Sequence, residues 1–339
     1  MDVEEKNVLI TGGAGFIGSH LVEEYLANDA GKVVVFDDFS TGSKENLKQI
    51  KDSRLKIVKG SILEMCELDG TVKEEEIQII DHLAAELEVY TGIRDTEKDA
   101  RMNIIGTLNV LNAALKADVE KMLFASSGAV YGQAQHVRIG ESHPLEPHWP
   151  YGVSKLAAER YVLQFQKLFG LNTTAFRYGI VYGPREWFGR VLTLFIKRIF
   201  LENKAPIVFG DGNQTRDFVY VKDVVKAHML AIRKENATGQ VFNIGTGKST
   251  SINELAKLLI KKSGKRLDVV YDNPKEGHAS RYQPGRVRLQ GELIDFVMDN
   301  KKAKEILGWS PKTGLSEGLA KEIDWVVKNP SRWGGKPRV

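Results

Sequence analysis

The amino-acid sequence predicts an α/β protein built on a doubly wound parallel sheet. A short apolar run, residues 7–10, leads into the glycine-rich turn TGGAGFIG and then into helical apolar spacing over residues 16–26. Apolar runs typical of buried strands then alternate with helical segments along the first half of the chain. Because parallel strands need crossover connections, this alternation predicts helices on both faces of one sheet and a ligand site at the carboxyl ends of its strands.

The glycine-rich turn, residues 11–18, predicts a dinucleotide-binding site of the Rossmann kind. Small residues at Gly12, Gly15 and Gly18 let the backbone approach a pyrophosphate. The anion would lie against the unpaired N–H groups at the start of the following helix. A glycine-rich turn by itself is weak evidence, so the prediction depends on the strand before it and the helix after it.

An acidic residue at the end of the second strand strengthens this prediction. The run over residues 32–36 ends at Asp37, and Asp38 opens the loop that follows. Asp37 lies nineteen residues after Gly18, close to the roughly 20 at which an acidic residue meets the adenosine ribose. Its carboxylate would bind the ribose hydroxyls and repel a 2′-phosphate, which favours NAD over NADP as the cofactor.

The remaining elements continue the alternation and then loosen. Further strands are predicted at residues 55–58, 77–85, 121–125, 172–178, 207–209, 218–220, 241–244 and 267–271, and helices at 98–116, 151–169, 191–201, 221–233, 252–262, 301–307 and 315–327. We expect residues 1–180 to form the NAD-binding domain. Residues 181–339 are expected to form a smaller α/β substrate domain, some of whose strands can return to the first sheet.

Composition excludes several classes of protein. The chain has 339 residues, 42% of them hydrophobic, which suffices for a sizeable core. A single cysteine excludes an intramolecular disulfide and a cysteine-rich metal site, and it fits a reducing cytoplasm. The net charge of +4 is mild and its basic residues are dispersed, which argues against a nucleic-acid partner. No run approaches the roughly 18 apolar residues of a membrane span, so we expect a cytoplasmic protein without a membrane partner.

Three polar side chains have the spacing of an alcohol-oxidising site. Ser127 follows the strand at 121–125, while Tyr151 and Lys155 lie four residues apart and share one face of a helix. A phenol has a reference pKa of about 10, which two nearby positive charges, Lys155 and an oxidised nicotinamide, would lower. Tyr151 then serves as the base and Ser127 hydrogen-bonds the substrate oxygen. His82, inside a strand, is expected to be a packed structural histidine.

Motifs in a fixed order carry a resemblance to a known family. They are TGGAGFIG, HLAA, NIIGTLNVL, SSGAVYG, YGVSK, VYGPRE, VFGDGNQTRDFVYVKDV, VFNIGTG and LGWSP. Together they resemble the extended short-chain dehydrogenase/reductase family, and in particular its nucleotide-sugar epimerases of the UDP-glucose 4-epimerase type. The resemblance spans nearly the whole chain. It implies that tightly held NAD takes a hydride from carbon 4 of the sugar and returns it to the opposite face.

The resemblance also implies roles for individual residues. Catalysis is expected of Tyr151, Lys155 and Ser127. The cofactor contacts are expected to be Gly12, Gly15, Phe16, Ile17, Gly18, Asp37, Asp38, Ser61, Ile62, Leu83, Ala84, Ala85, Asn103, Ser126, Tyr151, Lys155 and Tyr178. The nucleotide-sugar substrate is expected to contact Ser127, Arg216, Arg288 and Arg190.

The substrate side departs from the family pattern. An asparagine expected near the diphosphate is absent at Gly179-Ile180, an aspartate expected at the adenine is Ser61, and the usual arginine stretch is replaced by residues 281–292. The segment over residues 186–190 is also unusual. Arg190 or Arg185 is a candidate contact for an acidic sugar such as glucuronate, with a surface or interdomain charge as the open alternative.

Other activities remain open at this point. The dehydratases of the family carry an acidic pair where this chain has Gly128 and Ala129, and its decarboxylases carry an acid at the position of Ala129. The absence of these acids favours epimerisation over both. An NAD-dependent reductase that releases its cofactor is one alternative. A non-catalytic NAD-binding protein is another, although it would need no Ser127, Tyr151 and Lys155 together. By the same resemblance, the helices at 98–116 and 153–169 are expected to form a homodimer interface.

Overall fold

One seven-stranded parallel sheet forms the centre of the protein in the computed structural model, which describes residues 1–283 and 285–333. The strands of these residues are β1 Asn7–Thr11, β2 Lys32–Asp37, β3 Leu55–Lys59, β4 Ile79–His82, β5 Lys121–Ala125, β6 Thr173–Tyr178, β7 Ile180–Tyr182, β8 Ile207–Phe209, β9 Thr215–Arg216, β10 Phe218–Tyr220, β11 Gln240–Ile244, β12 Thr250–Ser251 and β13 Val270–Asp272. The order across the large sheet is β11-β6-β5-β4-β1-β2-β3. This is the predicted doubly wound arrangement.

Helices cover both faces of the sheet. They are α1 Phe16–Ala27, α2 Met65–Glu74, α3 Val89–Arg94, α4 Thr96–Ala100, α5 Gly106–Lys116, α6 Pro150–Phe169, α7 Val191–Ile196, α8 Val221–Arg233, α9 Ile252–Ser263 and α10 Leu315–Lys328. Short 3-10 turns occur at Lys44–Asn46, Gly128–Val130, Glu235–Ala237 and Pro330–Trp333, and π-helical turns at Arg101–Ile105, Lys197–Leu201 and Ala303–Leu307. Because both faces are covered, β1, β2, β4 and β5 are almost entirely buried.

The direction of winding reverses between β1 and β4, and this reversal determines where a ligand can bind. From β1 the chain moves outward to β2 and β3, and later it crosses to β4, β5 and β6 on the other side. Thr11, the last residue of β1, pairs with Phe36 of β2 and with His82 of β4. The carboxyl ends of the three strands therefore lie side by side and open a crevice.

The second half of the chain returns to this sheet. β11 pairs in parallel with β6, from Gln240 opposite Thr174 to Ile244 opposite Tyr178. The other late strands form three separate pairs, β7 with β10, β8 with β13 and β9 with β12. The expected return of a late strand to the sheet is thus present, while the domain boundary near residue 180 stays a prediction.

Some elements differ from their predicted form. The helix expected over residues 98–116 is interrupted by the π-helical turn at Arg101–Ile105. α2 and α3 were not predicted, since neither short segment has a long apolar period. The strand expected over residues 267–271 is displaced to Val270–Asp272, where it pairs with β8.

Two features are absent from the described residues, a membrane-spanning helix and a metal-binding cluster. Over residues 1–283 and 285–333, no helix combines the length and the apolar character that a membrane crossing requires. Within the same ranges, no group of three or more histidine, cysteine, aspartate or glutamate side chains is arranged to hold a metal ion.

Candidate active site

The glycine-rich turn between β1 and α1 leaves no room for a side chain at Gly12 or Gly18. Gly12 has a φ of 70°, and a Cβ on it would lie 2.8 Å from the backbone nitrogen of Ala84. A Cβ on Gly18 would lie 2.3 Å from the carbonyl oxygen of Gly12. At Gly15 the nearest atom is that same oxygen, at 3.0 Å, so the space beyond it belongs to the crevice. Backbone N–H groups at the start of α1, which has no side-chain cap, are therefore available to an anion.

Asp37 closes the other side of this turn. Its carboxylate accepts hydrogen bonds from the backbone N–H of Ala14 at 2.9 Å and of Phe39 at 2.8 Å. Burial raises the pKa of this carboxyl, although the two hydrogen bonds oppose the rise. Asp38 is held in turn by the N–H of Ser40 at 2.8 Å. The acidic side chain is thus fixed at the strand end where the sequence predicts a ribose contact.

A cleft of about 560 Å³ runs along the carboxyl ends of the strands. Nearly all the residues predicted to contact the cofactor line it. They are Gly12, Gly15, Phe16, Ile17, Gly18, Asp37, Asp38, Ser61, Ile62, Leu83, Ala84, Ala85, Ser126, Tyr151, Lys155 and Tyr178, with Ser127 beside them. This lining fits a dinucleotide. It presents glycine backbone at one point, a carboxylate at the end of the next strand, and apolar side chains at Ile62 and Leu83.

Asn103 does not line this cleft. Its amide nitrogen donates to the Ser154 hydroxyl at 2.9 Å and to the Glu86 carbonyl at 3.0 Å, and its oxygen accepts from the Glu86 N–H at 2.9 Å. Through these hydrogen bonds Asn103 joins the segment after β4 to α6, behind the wall of the cleft. The expected direct contact with the cofactor therefore has no geometric support, because the side chain is committed to the wall of the cleft.

Ser127, Tyr151 and Lys155 come together at the middle of the strand edge. α6 begins at Pro150, which needs no intrahelical partner for its missing N–H, and Tyr151 and Lys155, one turn apart on the same face of the helix, both line the cleft. Burial raises the pKa of the Tyr151 phenol, while a hydrogen bond with Ser127 and the charge of Arg190 lower it. Burial also lowers the pKa of Lys155 to about 7, and its Nζ lies 4.3 Å from the centre of the Phe124 ring.

His82 is a structural residue, as the sequence analysis expected. Its Nδ1 lies 2.6 Å from the Thr11 hydroxyl, and its Nε2 lies 3.0 Å from the Thr107 hydroxyl. Burial and the charge of Lys155 lower its pKa to about 3. The imidazole therefore stays neutral and joins β1, β4 and α5 behind the cleft.

A second cleft, of about 350 Å³, meets the first where Ser127, Tyr151 and Tyr178 line both. Three arginines also line it, Arg190, Arg216 and Arg286. Burial lowers the pKa of Arg216 and lowers that of Arg286 to about 10. Buried guanidinium groups favour a bound anion, because its charge compensates for their lost hydration.

Arg288 was expected to contact the substrate, but Arg286 rather than Arg288 lines this cleft. Arg288 donates to the Asn273 side chain at 2.6 Å and to the Pro274 carbonyl at 3.2 Å, outside the lining. The Arg286 guanidinium lies 4.1 Å from the centre of the Phe209 ring, at the wall of the cleft. Residues 281–292 have neither helical nor strand periodicity, so the sequence carries no signal that distinguishes the two arginines.

The loop after β7 carries both candidate arginines of the unusual segment. Arg190 lines both clefts, lies 3.6 Å from a carboxylate oxygen of Glu186 and donates to the Val181 carbonyl at 3.1 Å. Arg185 forms an ion pair with Glu23 and donates to the Ser19 hydroxyl at 3.2 Å, which joins this loop to α1. Arg190 therefore faces the reacting region, and Arg185 faces the glycine-rich turn.

The last described turn of the chain closes over the first cleft, which the sequence did not predict. Arg332 lines the cleft and donates to the Asn46 side chain at 2.7 Å. The Trp333 indole donates to the Glu186 carbonyl at 3.1 Å and stacks on Phe188 with ring centres 6.0 Å apart. Three distant segments of the chain thus form one cover.

This geometry defines the class of protein. A dinucleotide cleft that meets a second, arginine-lined cleft at a Ser-Tyr-Lys group is the arrangement of the extended short-chain dehydrogenase/reductases. Within that class, the chain belongs to the family described as GDP-mannose 4,6 dehydratase, whose model matches residues 9–322.

Relatives and solved structures extend the similarity to almost the whole chain. A putative UDP-glucose 4-epimerase from Methanocaldococcus jannaschii is 38% identical over 326 residues, which are 95% of this chain and 99% of the relative. The crystal structure of a UDP-glucose 4-epimerase with UDP-glucose from Thermotoga maritima has a TM-score of 0.86 at 36% identity, covering 96% of this chain and 99% of that one. A Bacillus cereus UDP-glucuronic acid 4-epimerase in complex with UDP-glucuronic acid and NAD has a TM-score of 0.85 at 32% identity, covering 95% and 99%.

Proposed function

We propose that the protein is an NAD-dependent nucleotide-sugar 4-epimerase. The observation that carries the proposal is the meeting of the two clefts at Ser127, Tyr151 and Tyr178. A sugar bound at this junction would contact the hydroxyls of Ser127 and Tyr151 and would also lie beside the cofactor cleft. The similarity to 4-epimerases over nearly the whole chain supports the same activity.

The first cleft fits NAD through its own side chains and backbone. Asp37 would accept hydrogen bonds from the adenosine ribose, and N–H groups at the start of α1 would bind the pyrophosphate. Lys155 and Tyr178 line the end of the cleft beside the reacting region. When bound, NAD accepts and returns a hydride and, in its oxidised form, places a positive charge beside the Tyr151 phenol.

The residues at the junction divide the acid and base work between them. Tyr151 removes the proton of the sugar 4-hydroxyl as carbon 4 is oxidised, and the same phenol gives it back when carbon 4 is reduced on its other face. Ser127 hydrogen-bonds the reacting oxygen and orients it toward Tyr151. Lys155 stabilises the phenolate by its charge. The protein thus ends each cycle in its starting protonation state.

Dehydration is disfavoured by the space around the reacting region. The dehydratases that the sequence resembles carry an acidic pair where this chain has Gly128 and Ala129. A Cβ on Gly128 would lie 2.2 Å from the Phe296 ring and 2.9 Å from the Tyr178 carbonyl oxygen. No acidic side chain fits at that position without displacing Phe296, so the acid that the dehydratases carry there has no counterpart at Gly128.

The second cleft supports a nucleotide diphosphate as the anionic part of the substrate. Arg216 and Arg286 would bind the diphosphate, since both half-buried side chains line the wall of this cleft. Arg190 lies nearer the reacting region and would contact the sugar. A uronate or another sugar with an anionic group is the substituent that Arg190 would favour.

We also propose that the protein is a cytoplasmic homodimer joined through the long helices of one sheet face. α6 exposes apolar side chains along its outer side, and Ile105 exposes another beside α5. These side chains are Val153, Tyr161, Leu168, Phe169 and Ile105, with Leu168 69% exposed. A second copy of the chain would bury this apolar stripe. The unpaired Cys66 thiol fits a reducing compartment.

One experiment tests the activity directly. Purified protein, without added NAD, is incubated with UDP-glucose, UDP-glucuronate and UDP-N-acetylglucosamine, and the products are resolved by proton NMR. We expect a 4-epimer from at least one sugar with no net NADH. Stoichiometric NADH without a 4-epimer would indicate a dehydrogenase that releases its cofactor, and a folded, NAD-loaded protein with no product would overturn the proposal for these sugars.

A further inference from the structure

Three buried side chains connect the junction of the two clefts to the interior of the sheet. The Tyr178 hydroxyl, at the end of β6, lies 2.5 Å from Nε2 of His228 in α8. Nδ1 of the same imidazole lies 2.8 Å and 3.0 Å from the two carboxylate oxygens of Asp81 in β4. His228 and Asp81 are both fully buried. These contacts form a hydrogen-bonded chain with the order Tyr178, His228, Asp81.

The donors and acceptors of this chain allow a single arrangement of protons for a neutral imidazole. Asp81 as a carboxylate can only accept, so His228 donates from Nδ1 and leaves Nε2 as an acceptor. The Tyr178 phenol is the donor that fills this place. Burial raises the pKa of Tyr178 well above its ordinary value, so the phenol keeps its proton and the hydrogen bond persists.

The ring of Tyr178 is fixed from two sides. Its hydroxyl is held by His228, and the His228 ring in turn packs on Phe176 with ring centres 4.4 Å apart. The Phe176 and Tyr178 rings are stacked, with 9° between their planes. Tyr178 is therefore a rigid wall, and it lines the cofactor cleft and the substrate cleft alike.

We propose that His228 and Asp81 are positioning residues for the reaction, and that they act by holding the Tyr178 ring where cofactor and sugar must align. The inference rests on the proposed 4-epimerase activity. Two hydride transfers to opposite faces of one carbon both need the reacting atoms at a short, fixed distance. A ring free to turn at the junction would widen this distance, although it touches neither the proton nor the hydride.

Asp81 has a second phenolic partner, which provides a matched control. The Tyr25 hydroxyl donates to the Asp81 carboxylate at 2.9 Å from α1 and lines neither cleft. Tyr178→Phe and Tyr25→Phe thus remove the same group from the two ends of one network. Only Tyr178→Phe releases a ring at the junction of the clefts.

His228→Asn removes the contact that positions Tyr178 while it keeps a hydrogen bond to the buried Asp81 carboxylate. The amide nitrogen of asparagine can donate to Asp81 as Nδ1 does, while the shorter side chain cannot reach the Tyr178 hydroxyl. We expect His228→Asn and Tyr178→Phe to lower kcat by about tenfold or more, with KM changed by less than about twofold. The double variant should match Tyr178→Phe, because His228 acts through the hydroxyl. Tyr25→Phe should lower Tm but leave kcat unchanged.

A second measurement does not depend on turnover. NADH held in the cofactor cleft fluoresces according to the rigidity of its surroundings. We expect His228→Asn and Tyr178→Phe to shift its emission toward that of free NADH, whereas Tyr25→Phe keeps the emission of the unaltered protein. If the unaltered protein epimerises no sugar, the proposed function fails while this measurement still tests the positioning.

Two results would overturn the inference. One is a Tyr25→Phe variant that loses kcat and bound-NADH emission as far as Tyr178→Phe does, which would reduce the network to a stabilising role. The other is a pair of variants, His228→Asn and Tyr178→Phe, with the kcat and emission of the unaltered protein.

Discussion

The buried carboxyl groups of Glu186, in the loop after β7, and Glu322, in α10, lie close enough to shift each other's pKa, and none of their four oxygens has a hydrogen-bond partner among the described residues. Neither side chain is more than 1% exposed. Burial raises the pKa of Glu186 to about 7 and that of Glu322 well above its ordinary value, although the charge of Arg190 lowers both. One protonated carboxyl therefore lies beside the loop that carries Arg190 to the junction of the clefts.

Glu322→Gln should remove much of the pH dependence of stability. A carboxyl with a raised pKa stabilises the fold at low pH, and this contribution is lost as pH rises from about 4.5 to about 7. We expect the variant to be more stable than the unaltered protein at pH 8, by about 1–3 kcal/mol. Urea unfolding from pH 4.5 to 8 measures this. The exposed Glu317→Gln on the same helix is the control, and equal pH slopes in Glu322→Gln and the unaltered protein would contradict the raised pKa of the Glu322 carboxyl.

Tyr151→Phe should leave the fold and bound NAD intact while turnover falls. Loss of a general base lowers rates by about 10²–10⁴. The NMR assay for the 4-epimer measures turnover, and the absorbance of extracted NAD measures occupancy. Tyr271→Phe, which removes a hydroxyl bonded to Asn253 away from both clefts, should keep full activity. Near-normal turnover in Tyr151→Phe would exclude the proposed base.

Lys155→Met should lower the activity and raise the stability of the protein at pH 7. Because burial lowers the pKa of Lys155 to about 7, the folded state binds fewer protons than the unfolded state between pH 7 and about 10.5. The contribution of Lys155 to stability therefore rises with pH over that window. We expect Lys155→Met to be more stable than the unaltered protein at pH 7, and the rising limb of kcat/KM to move to higher pH. Thermal unfolding and a pH–rate profile measure the two effects. An unchanged pH–rate profile would show that Lys155 does not lower the pKa of Tyr151 during catalysis.

Alanine substitutions at two glycines of the glycine-rich turn should have different effects on NAD binding and on stability. Gly15→Ala places a methyl group into the crevice, so we expect bound NAD to be lost while the protein still folds. Gly18→Ala places it 2.3 Å from the Gly12 carbonyl, so we expect unfolding at a lower urea concentration as well. Gly70→Ala in α2, whose Cβ would meet no atom within 4 Å, should instead stabilise by about 0.5–1 kcal/mol. Full NAD occupancy in Gly15→Ala would argue against the pyrophosphate site.

Arg286 and Arg288 offer a test of which arginine binds the diphosphate. We expect Arg286→Met to raise KM for the nucleotide sugar by about tenfold or more, since a charge-assisted pair to a phosphate is lost. Arg288→Met should change KM by less than about twofold, because its partners are Asn273, Pro274 and Glu292. Steady-state kinetics of both variants decide between the two arginines. A larger rise in KM for Arg288→Met than for Arg286→Met would support Arg288, the residue predicted from the sequence.

The sequence predicted the parts of this protein that depend on short-range chemistry. Gly12, Gly15 and Gly18 are dictated by one turn, and Tyr151 and Lys155 by the spacing of one helix, so each pattern is complete within a few residues. The doubly wound parallel sheet follows from the alternation of strands and helices, and the predicted epimerase-type family is confirmed by the comparisons.

Features that depend on tertiary contacts escaped prediction. Asn103 lies behind the wall because its amide meets Glu86 and Ser154, which no local pattern reveals. Arg286 rather than Arg288 lines the substrate cleft, in a segment without periodicity. The link from Asp81 to His228 joins residues 147 apart, and its members look like ordinary strand and helix residues in the sequence.

The cover over the cofactor cleft affects the order of events during synthesis. The glycine-rich turn is made long before this cover, because Arg332 bonds Asn46 across 286 residues of chain and Trp333 bonds the loop at Glu186. A nascent chain that has already folded its first strands still has an open, shallow groove. We therefore expect a dinucleotide in this cleft to be held firmly only after the turn at Pro330–Trp333 has docked.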